Sequence, residues 1–217
     1  MPFAELAAKS NFSFLEGASH PEELVERAGE LGLSAIGIAD REGIYGLVRA
    51  YRAAKERDVH LVAGAELTIE YPGLALGERG RGDAPPAVIL LVRDADGYAS
   101  LCNLVTAAHA HHEKGSAGLL PETLAAGARG LELVIPIDRP ALEAAALDPA
   151  GWGEAWASAL EALRGRVHVA TYRRLDGLDD ERNLRAEALA RGLGCEVFAS
   201  SRPLFHHASK KPLADVV

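Results

Sequence analysis

Cysteine is scarce in this chain: Cys102 and Cys195 are the only two among 217 residues. They lie far apart with no CxxC spacing, so neither a disulfide framework nor a cysteine zinc site is suggested, and a reducing, cytoplasmic setting is expected. Long apolar runs are missing too. None approaches the roughly 18 residues that span a bilayer, and the N-terminus lacks a charged-then-apolar signal pattern, so no membrane partner is expected. Basic excess is also absent, with 23 Lys and Arg against 31 Asp and Glu, a net charge of -8 and a pI near 5.5. That balance argues against a free-standing nucleic-acid binder, which needs cations to neutralise phosphates. Any contact with DNA would be indirect, through local basic clusters or a partner.

What is present points to a globular α/β protein. With 48% hydrophobic residues the chain can bury a substantial core, and one domain over residues 1–217 is expected. Short apolar runs alternate with amphipathic stretches. Strands are predicted at Phe3 to Leu6, "SAIGIAD", "HLVAGAEL", "AVILLVRD", "LELVIPI", "RVHVATY" and "CEVFAS". Between them, helices are predicted at Pro21 to Leu31, "YGLVRAYRAAKERD", "ADGYASLCNLVTAAHAHH", "PAGWGEAWASALEALRG" and "DDERNLRAEALARGLG". The first helix has Ser19 or His20 near its N-cap, Pro21 in its first turn and Gly32 at its stop. The segment Ala75 to Pro86 has no apolar period and reads as a mobile surface loop. Regular alternation of this kind predicts a largely parallel sheet, closed or nearly closed into a β/α barrel.

In such barrels chemistry collects at the C-terminal strand ends. Two predicted strands end on carboxylates, Asp40 and Glu66, and Ala7 to Lys9 and Ser200 to Leu204 fall at the same level. The stretch "SNFSFLEGASHPEELV" runs from the first strand through an aromatic loop into the first helix, the layout of a strand-end site.

The stretches "ELAAKSNFSFLEGASHPEELVERAGELGLSAIGIADREGIYGLVRAYRAAKE", "LVAGAEL", "LLVRDADGYASLCNLVTAAH" and "KKPLADVV" together resemble the PHP (polymerase and histidinol phosphatase) domain found at the N-terminus of bacterial C-family DNA polymerases. Those polymerases comprise the polymerase III α subunit and its error-prone relative, and the error-prone branch is the nearer. The resemblance runs essentially end to end. It implies a distorted (β/α)7-type PHP barrel and, in active members, metal-dependent phosphoester hydrolysis by a histidine- and carboxylate-held cluster of ions.

The ligand motifs of that family are only partly kept. Ala7 and Lys9 stand where a His-x-His pair is expected, Arg41 replaces a histidine after Asp40, and Arg202 and Leu204 stand for a final Asp-x-His. Glu16, Asp40 and Glu66 occupy acidic positions and are the remnant metal positions. Lys9, Arg41 and Arg202 bring fixed positive charge that opposes metal entry and can pair with those three carboxylates. Salt bridges in place of the metal cluster are therefore expected, with no cofactor beyond weak residual Zn, Mn or Mg. For Glu16 taken alone, its loop-to-helix position suggests a solvated or capping role.

His109, His111 and His112 read as surface histidines. His206 and His207 lie just after the last strand, where one could reach the cleft rim, but they lack the preceding Asp-x-His partners. Trp152 and Trp156, four apart, read as one packing face of a helix. The basic groups "ERGRG", "YRR" and "SKK" read as solvated loop charge. The implied function is a structural and interaction role in replication or repair synthesis, with other polymerase domains or replication subunits as partners. An active phosphoesterase or 3′-5′ exonuclease is the alternative. The stretch "KPLADVV" resembles the lead into a further polymerase domain, which predicts an apolar end exposed near Leu213, Val216 and Val217.

Overall fold

The computed structural model describes residues 3–70, 86–137, 148 and 153–216. The predicted surface loop from Ala75 to Pro86 falls almost wholly outside them, as do Trp152, Val217 and the "ERGRG" group. The chain clusters into two compact units, Met1–Glu66 with Ser200–Val217, and Leu67–Ala199.

The first unit is built from β1 (Ala4–Ala8), α1 (Pro21–Glu30), β2 (Ala35–Arg41), α2 (Leu47–Arg57) and β3 (Leu61–Thr68), with a short C-terminal helix (Lys211–Ala214) preceded by one 3-10 turn. β1 extends two residues beyond its predicted end. Its three-residue interval from Glu5 to Ala8 faces two residues of β2, Ile36 to Ile38. That bulge re-aims the strand end leading into Lys9. β1 also approaches β2 very closely at Gly37, where a Cβ would fall 2.5 Å from the Leu6 carbonyl oxygen.

β2 and β3 pair in parallel from Ile36 with Leu61 to Arg41 with Glu66. Asp40 is thus level with Ala65, one step out of register with Glu66. Because side chains alternate faces along a strand, the two carboxylates project differently although both sit at strand ends.

Helix α1 starts at His20, whose backbone N–H donates to Glu23 Oε2 at 2.8 Å. It closes through Gly32 at φ +64, with Leu33 N–H on the Ala28 carbonyl and Gly32 N–H on Gly29. This is the paired closure that a left-handed residue after a helix permits. Leu24, Val25 and Ala28 of α1 pack with Leu47, Ala50, Ala53 and Ala54 of α2 on Ile36 and Ile38 of β2. The helical periods in the sequence mark these faces.

The second unit contains β4 (Ala87–Val92), α3 (Ala95–Ala110), α4 (Pro121–Gly127), β5 (Leu131–Pro136), α5 (Glu154–Ala162), β6 (Val167–Tyr172), α6 (Asp179–Leu193) and β7 (Glu196–Ser200). β5 and β6 are parallel, but β4 and β5 are antiparallel, pairing Ile89 with Val134 and Val92 with Leu131. Both strands are nearly all buried. Burial on both faces leaves no alternation from which strand direction could be read.

Helix α3 is capped by Asp94, whose carboxylate accepts from Gly97 N–H at 2.8 Å. Of the apolar face spaced as Tyr98, Leu101, Leu104, Val105 and Ala108, Leu101, Leu104 and Ala108 are buried, Val105 is half-buried and Tyr98 is exposed. Trp156 is completely buried in α5, a packing role in keeping with its helical spacing. Among the described residues no helix is long and apolar enough to cross a membrane.

Candidate functional site

Three segments of the first unit converge at the ends of β1, β2 and β3. The loop after β1 folds back on itself. Ser13 N–H bonds the Ser10 carbonyl, Asn11 N–H bonds Ser19, and Gly17 sits so close that a Cβ would overlap the Ser10 carbonyl oxygen at 2.0 Å. The C-terminal segment is laid against this loop, with Lys9 N–H donating to Pro203 and Ala18 N–H to Leu204.

Lys9 lies at the centre and is only 1% exposed. Its Nζ bonds Glu16 Oε2 and, at 3.0 Å, Glu66 Oε1. Arg41 donates to Glu16 Oε1 at 2.8 Å, and Arg202 donates to Glu66 Oε2. The expected salt bridges from Lys9, Arg41 and Arg202 are therefore present for Glu16 and Glu66.

Asp40 differs from expectation, because among the described residues no arginine or lysine pairs with it. Its Oδ1 accepts from Ser10 N–H and Ser13 Oγ, and its Oδ2 from Ser10 Oγ, each at 2.7 Å. The register explains the difference, since Asp40 turns toward the serine loop while Glu66 turns toward the cations. Gly46 completes this pocket, and a Cβ there would fall 2.8 Å from Asp40 Oδ2.

Glu16 is also not the solvated or capping residue its position suggests. It is a partly buried bridge between two cations, with its side chain 24% exposed. Burial alone would raise its pKa, but the charge of Lys9 and the hydrogen bonds from Lys9 and Arg41 outweigh burial and the repulsion of Glu66. The carboxyl is held below its ordinary value of 4.5. A carboxylate with a lowered native pKa adds stability that is complete above its unfolded pKa and disappears as pH falls through the native one. Thermal midpoints of the native chain and Glu16→Gln, measured downward from pH 6, are therefore expected to converge below about pH 4.

Of the other replaced positions, Ala7 is buried and its N–H donates to Glu5 Oε1 at 2.9 Å. Leu204 contributes its carbonyl to Ala18 and leaves its side chain outward at 36% exposure.

Sequence reasoning missed Glu5, which is buried beside this site. It accepts from Ala7 N–H, from Ser200 Oγ, and from Ser201 N–H and Oγ, the last two at 2.7 Å. Ser19 was noticed only as a helix-cap candidate. It is fully buried and joins the C-terminal segment through His206, whose N–H donates to Ser19 Oγ at 2.9 Å and whose Nδ1 lies 2.8 Å from the same oxygen.

His206 therefore serves a tie, and His207 accepts from Ser209 N–H at the following turn. In the second unit His112 Nε2 lies 3.2 Å from Glu70 Oε1, so it is a partly buried pairing residue and not a free surface histidine. In the "SKK" group Lys210 pairs with Glu23 and Lys211 with Asp215. Leu213 and Val216 are exposed, as expected for that end.

A metal cluster needs carboxylate and imidazole lone pairs that face a common point. Here all six carboxylate oxygens of Glu16, Asp40 and Glu66 accept hydrogen bonds from the protein itself, and three cationic side chains enter the same volume. Among the described residues no three His, Cys, Asp or Glu side chains are grouped to hold an ion.

The α/β fold and strand-end carboxylates define a class, and comparison names it. The family described as PHP domain matches residues 5–163, more than half of the chain. The chain belongs to the PHP domain family. It is 40% identical over 224 residues to an error-prone DNA polymerase of Anaeromyxobacter sp. (strain K), a match covering 99% of this chain and 18% of that protein. A Mycolicibacterium paratuberculosis error-prone DNA polymerase is 39% identical over 99% of this chain and 20% of its own length. The chain thus spans about a fifth of these relatives. Among solved structures, a proposed metal-dependent phosphoesterase from Bifidobacterium adolescentis superposes with a TM-score of 0.60 at 15% identity, covering 95% of this chain and 88% of that one. That likeness shows the fold.

Proposed function

We propose that this chain is a PHP domain of the error-prone polymerase type whose metal site is degenerate and whose role is structural. It would support the other domains of a DNA polymerase, or neighbouring replication and repair subunits, in the cytoplasm. One observation carries this reading: every carboxylate oxygen of the three remnant positions is engaged by Lys9, Arg41, Arg202, Ser10 or Ser13. A divalent ion entering there would have to displace these bonds and approach three fixed positive charges. The names of the polymerase relatives support the setting, and their much greater length supports a part played within a larger protein.

The alternative, metal-dependent phosphoester hydrolysis, is suggested by the name of a fold neighbour. Fold alone does not carry activity. Elemental mass spectrometry on the purified chain is expected to find no stoichiometric Zn, Mn or Mg, and micromolar additions of each ion are expected to leave the thermal midpoint unmoved. A stoichiometric ion, or a stabilisation that Asp40→Ala with Glu66→Ala abolishes, would overturn the proposal and favour the hydrolase.

A further inference from the structure

The outward face of α2 is unlike the rest of this acidic chain. The helix carries Arg49, Arg52, Lys55 and Arg57 against a single acid, Glu56. Arg49 pairs with Glu22 and Arg57 with Glu26, so those two cations are used in joining α2 to α1. Arg52 and Lys55 lie on the opposite, solvent-facing side, and neither makes an ion pair among the described residues. On the same helix Val48 and Tyr51 are 68% and 60% exposed, and Tyr45, in the turn before it, is 65% exposed. At 100° per residue, Val48, Tyr51, Arg52 and Lys55 share one strip centred away from the buried Leu47, Ala50, Ala53 and Ala54.

Tyr45 precedes this strip. Its ring lies against Gly43, where a Cβ would fall 2.4 Å from it, and the rest of the ring is open to solvent.

We propose that this face of α2 is a docking surface for single-stranded DNA, with Tyr45 and Tyr51 as stacking platforms and Arg52 and Lys55 as phosphate contacts. Aromatic rings interleaved with unpaired cations are the chemistry that holds unstacked bases on a charged backbone. A duplex keeps its bases stacked and offers the rings no π-face.

The surface also has the residue types of a protein hot spot, but Val48 is its only aliphatic member and its two cations, Arg52 and Lys55, face one exposed acid, Glu56. Nucleic acid suits that composition better than an apolar protein face. The chain's negative total does not decide the matter, because charges are screened over about 10 Å at 0.1 M salt, and within that range Arg52 and Lys55 outnumber Glu56 once Arg49 and Arg57 are neutralised by Glu22 and Glu26. The choice of DNA over RNA rests on the polymerase reading above.

The test uses the 217-residue chain and a fluorescent oligo-dT of about 20 nucleotides at low salt, read by anisotropy. Binding is expected to be weak, because two phosphate contacts and two stacked bases are few, and to be enhanced only when linked to other contacts. The logarithm of the association constant should fall with the logarithm of salt at a slope of about 1.4 for two neutralised phosphates on a single strand.

Tyr45→Ala and Tyr51→Ala should each weaken binding by roughly tenfold, while Tyr51→Phe keeps it. Arg52→Ser with Lys55→Ser should remove most of the salt dependence. All of these side chains are exposed, so their loss leaves the fold intact, and circular dichroism checks that. No anisotropy change, equal binding to duplex, or an unchanged slope in the Arg52/Lys55 variant would overturn the proposal. Preference for oligo-rU would overturn the assignment to DNA. None of these residues bonds the ion-pair cluster, so failure here is distinct from failure of the metal titration.

Discussion

Replacing Lys9 with Met is expected to lower folding stability by about 3–5 kcal/mol, enough to move the thermal midpoint by roughly 10 °C in a chain of this size. Met matches much of the lysine stem in volume, so the effect reports on charge more than on a cavity. The substitution takes the Lys9 ammonium away from Glu66, which is 1% exposed, and from Glu16 at the same time. A carboxylate stripped of its partner inside a protein keeps its desolvation cost and loses the attraction that offset it. A loss below about 1 kcal/mol would show that the cluster is hydrated and that Lys9 holds nothing. A cycle with Glu66→Gln isolates the pair term, expected in the range of about 0.5–3 kcal/mol. Adding Mn or Zn to Lys9→Met is the sharper control. If micromolar ion restores the midpoint, a single lysine stood between this site and a cation.

The charge balance explains why these substitutions belong together. Lys9, Arg41 and Arg202 supply three positive charges within one unit, and Glu16, Asp40 and Glu66 supply three negative ones. Three carboxylates alone in a largely buried volume would repel one another. Lys9, Arg41 and Arg202 offset that charge from within the protein. Arg202 is held at φ +44, a conformation disfavoured for any residue with a side chain. Its guanidinium reaches Glu66 from that backbone position, so the bridge is retained in spite of the local backbone cost.

Much of this site was legible in the sequence because its parts are local or periodic. The helix signals around Pro21 and Gly32 act over a single turn, and strand ends at Asp40 and Glu66 follow from apolar runs that stop on a carboxylate. Matching the replaced ligand positions sets Lys9, Arg41 and Arg202 against the three carboxylates without saying which cation meets which, and the structure places Lys9 and Arg202 on Glu66. Asp40 was assigned cations and has serines instead, because which way a strand-end side chain points depends on register with a neighbour, and no single strand contains that information. The β1 bulge escaped for the same reason. The antiparallel entry of β5 beside β4 was hidden by full burial, which erases the alternation that marks strand faces. Glu5 was passed over as an ordinary polar residue in a short strand, since its partners Ser200 and Ser201 lie 195 and 196 residues away.

Glu5 therefore yields the other large expected effect. Its two oxygens take four hydrogen bonds, two from backbone N–H groups of Ala7 and Ser201 and two from the hydroxyls of Ser200 and Ser201. Bonds to an ionised acceptor contribute about 1.5–3 kcal/mol each, and donors left buried without one carry a further cost. Coupling among them keeps the total below the simple sum, so Glu5→Ala is expected to destabilise by about 3–5 kcal/mol. Glu5→Gln should recover part of this, because the amide keeps one acceptor oxygen but turns a donor toward Ser201. The loss should also be directional. Glu5 fastens the segment from Ser200 onward to β1, and that segment supplies Arg202 to Glu66, the Pro203 carbonyl to Lys9 and the Leu204 carbonyl to Ala18. Amide exchange in Glu5→Gln is expected to accelerate at Lys9 and Ala18 while the α1 amides stay protected, since a local tie opens before the packed core does. Uniform acceleration across the unit would mean instead that Glu5 supports the whole fold and that the C-terminal segment has no separate clamp.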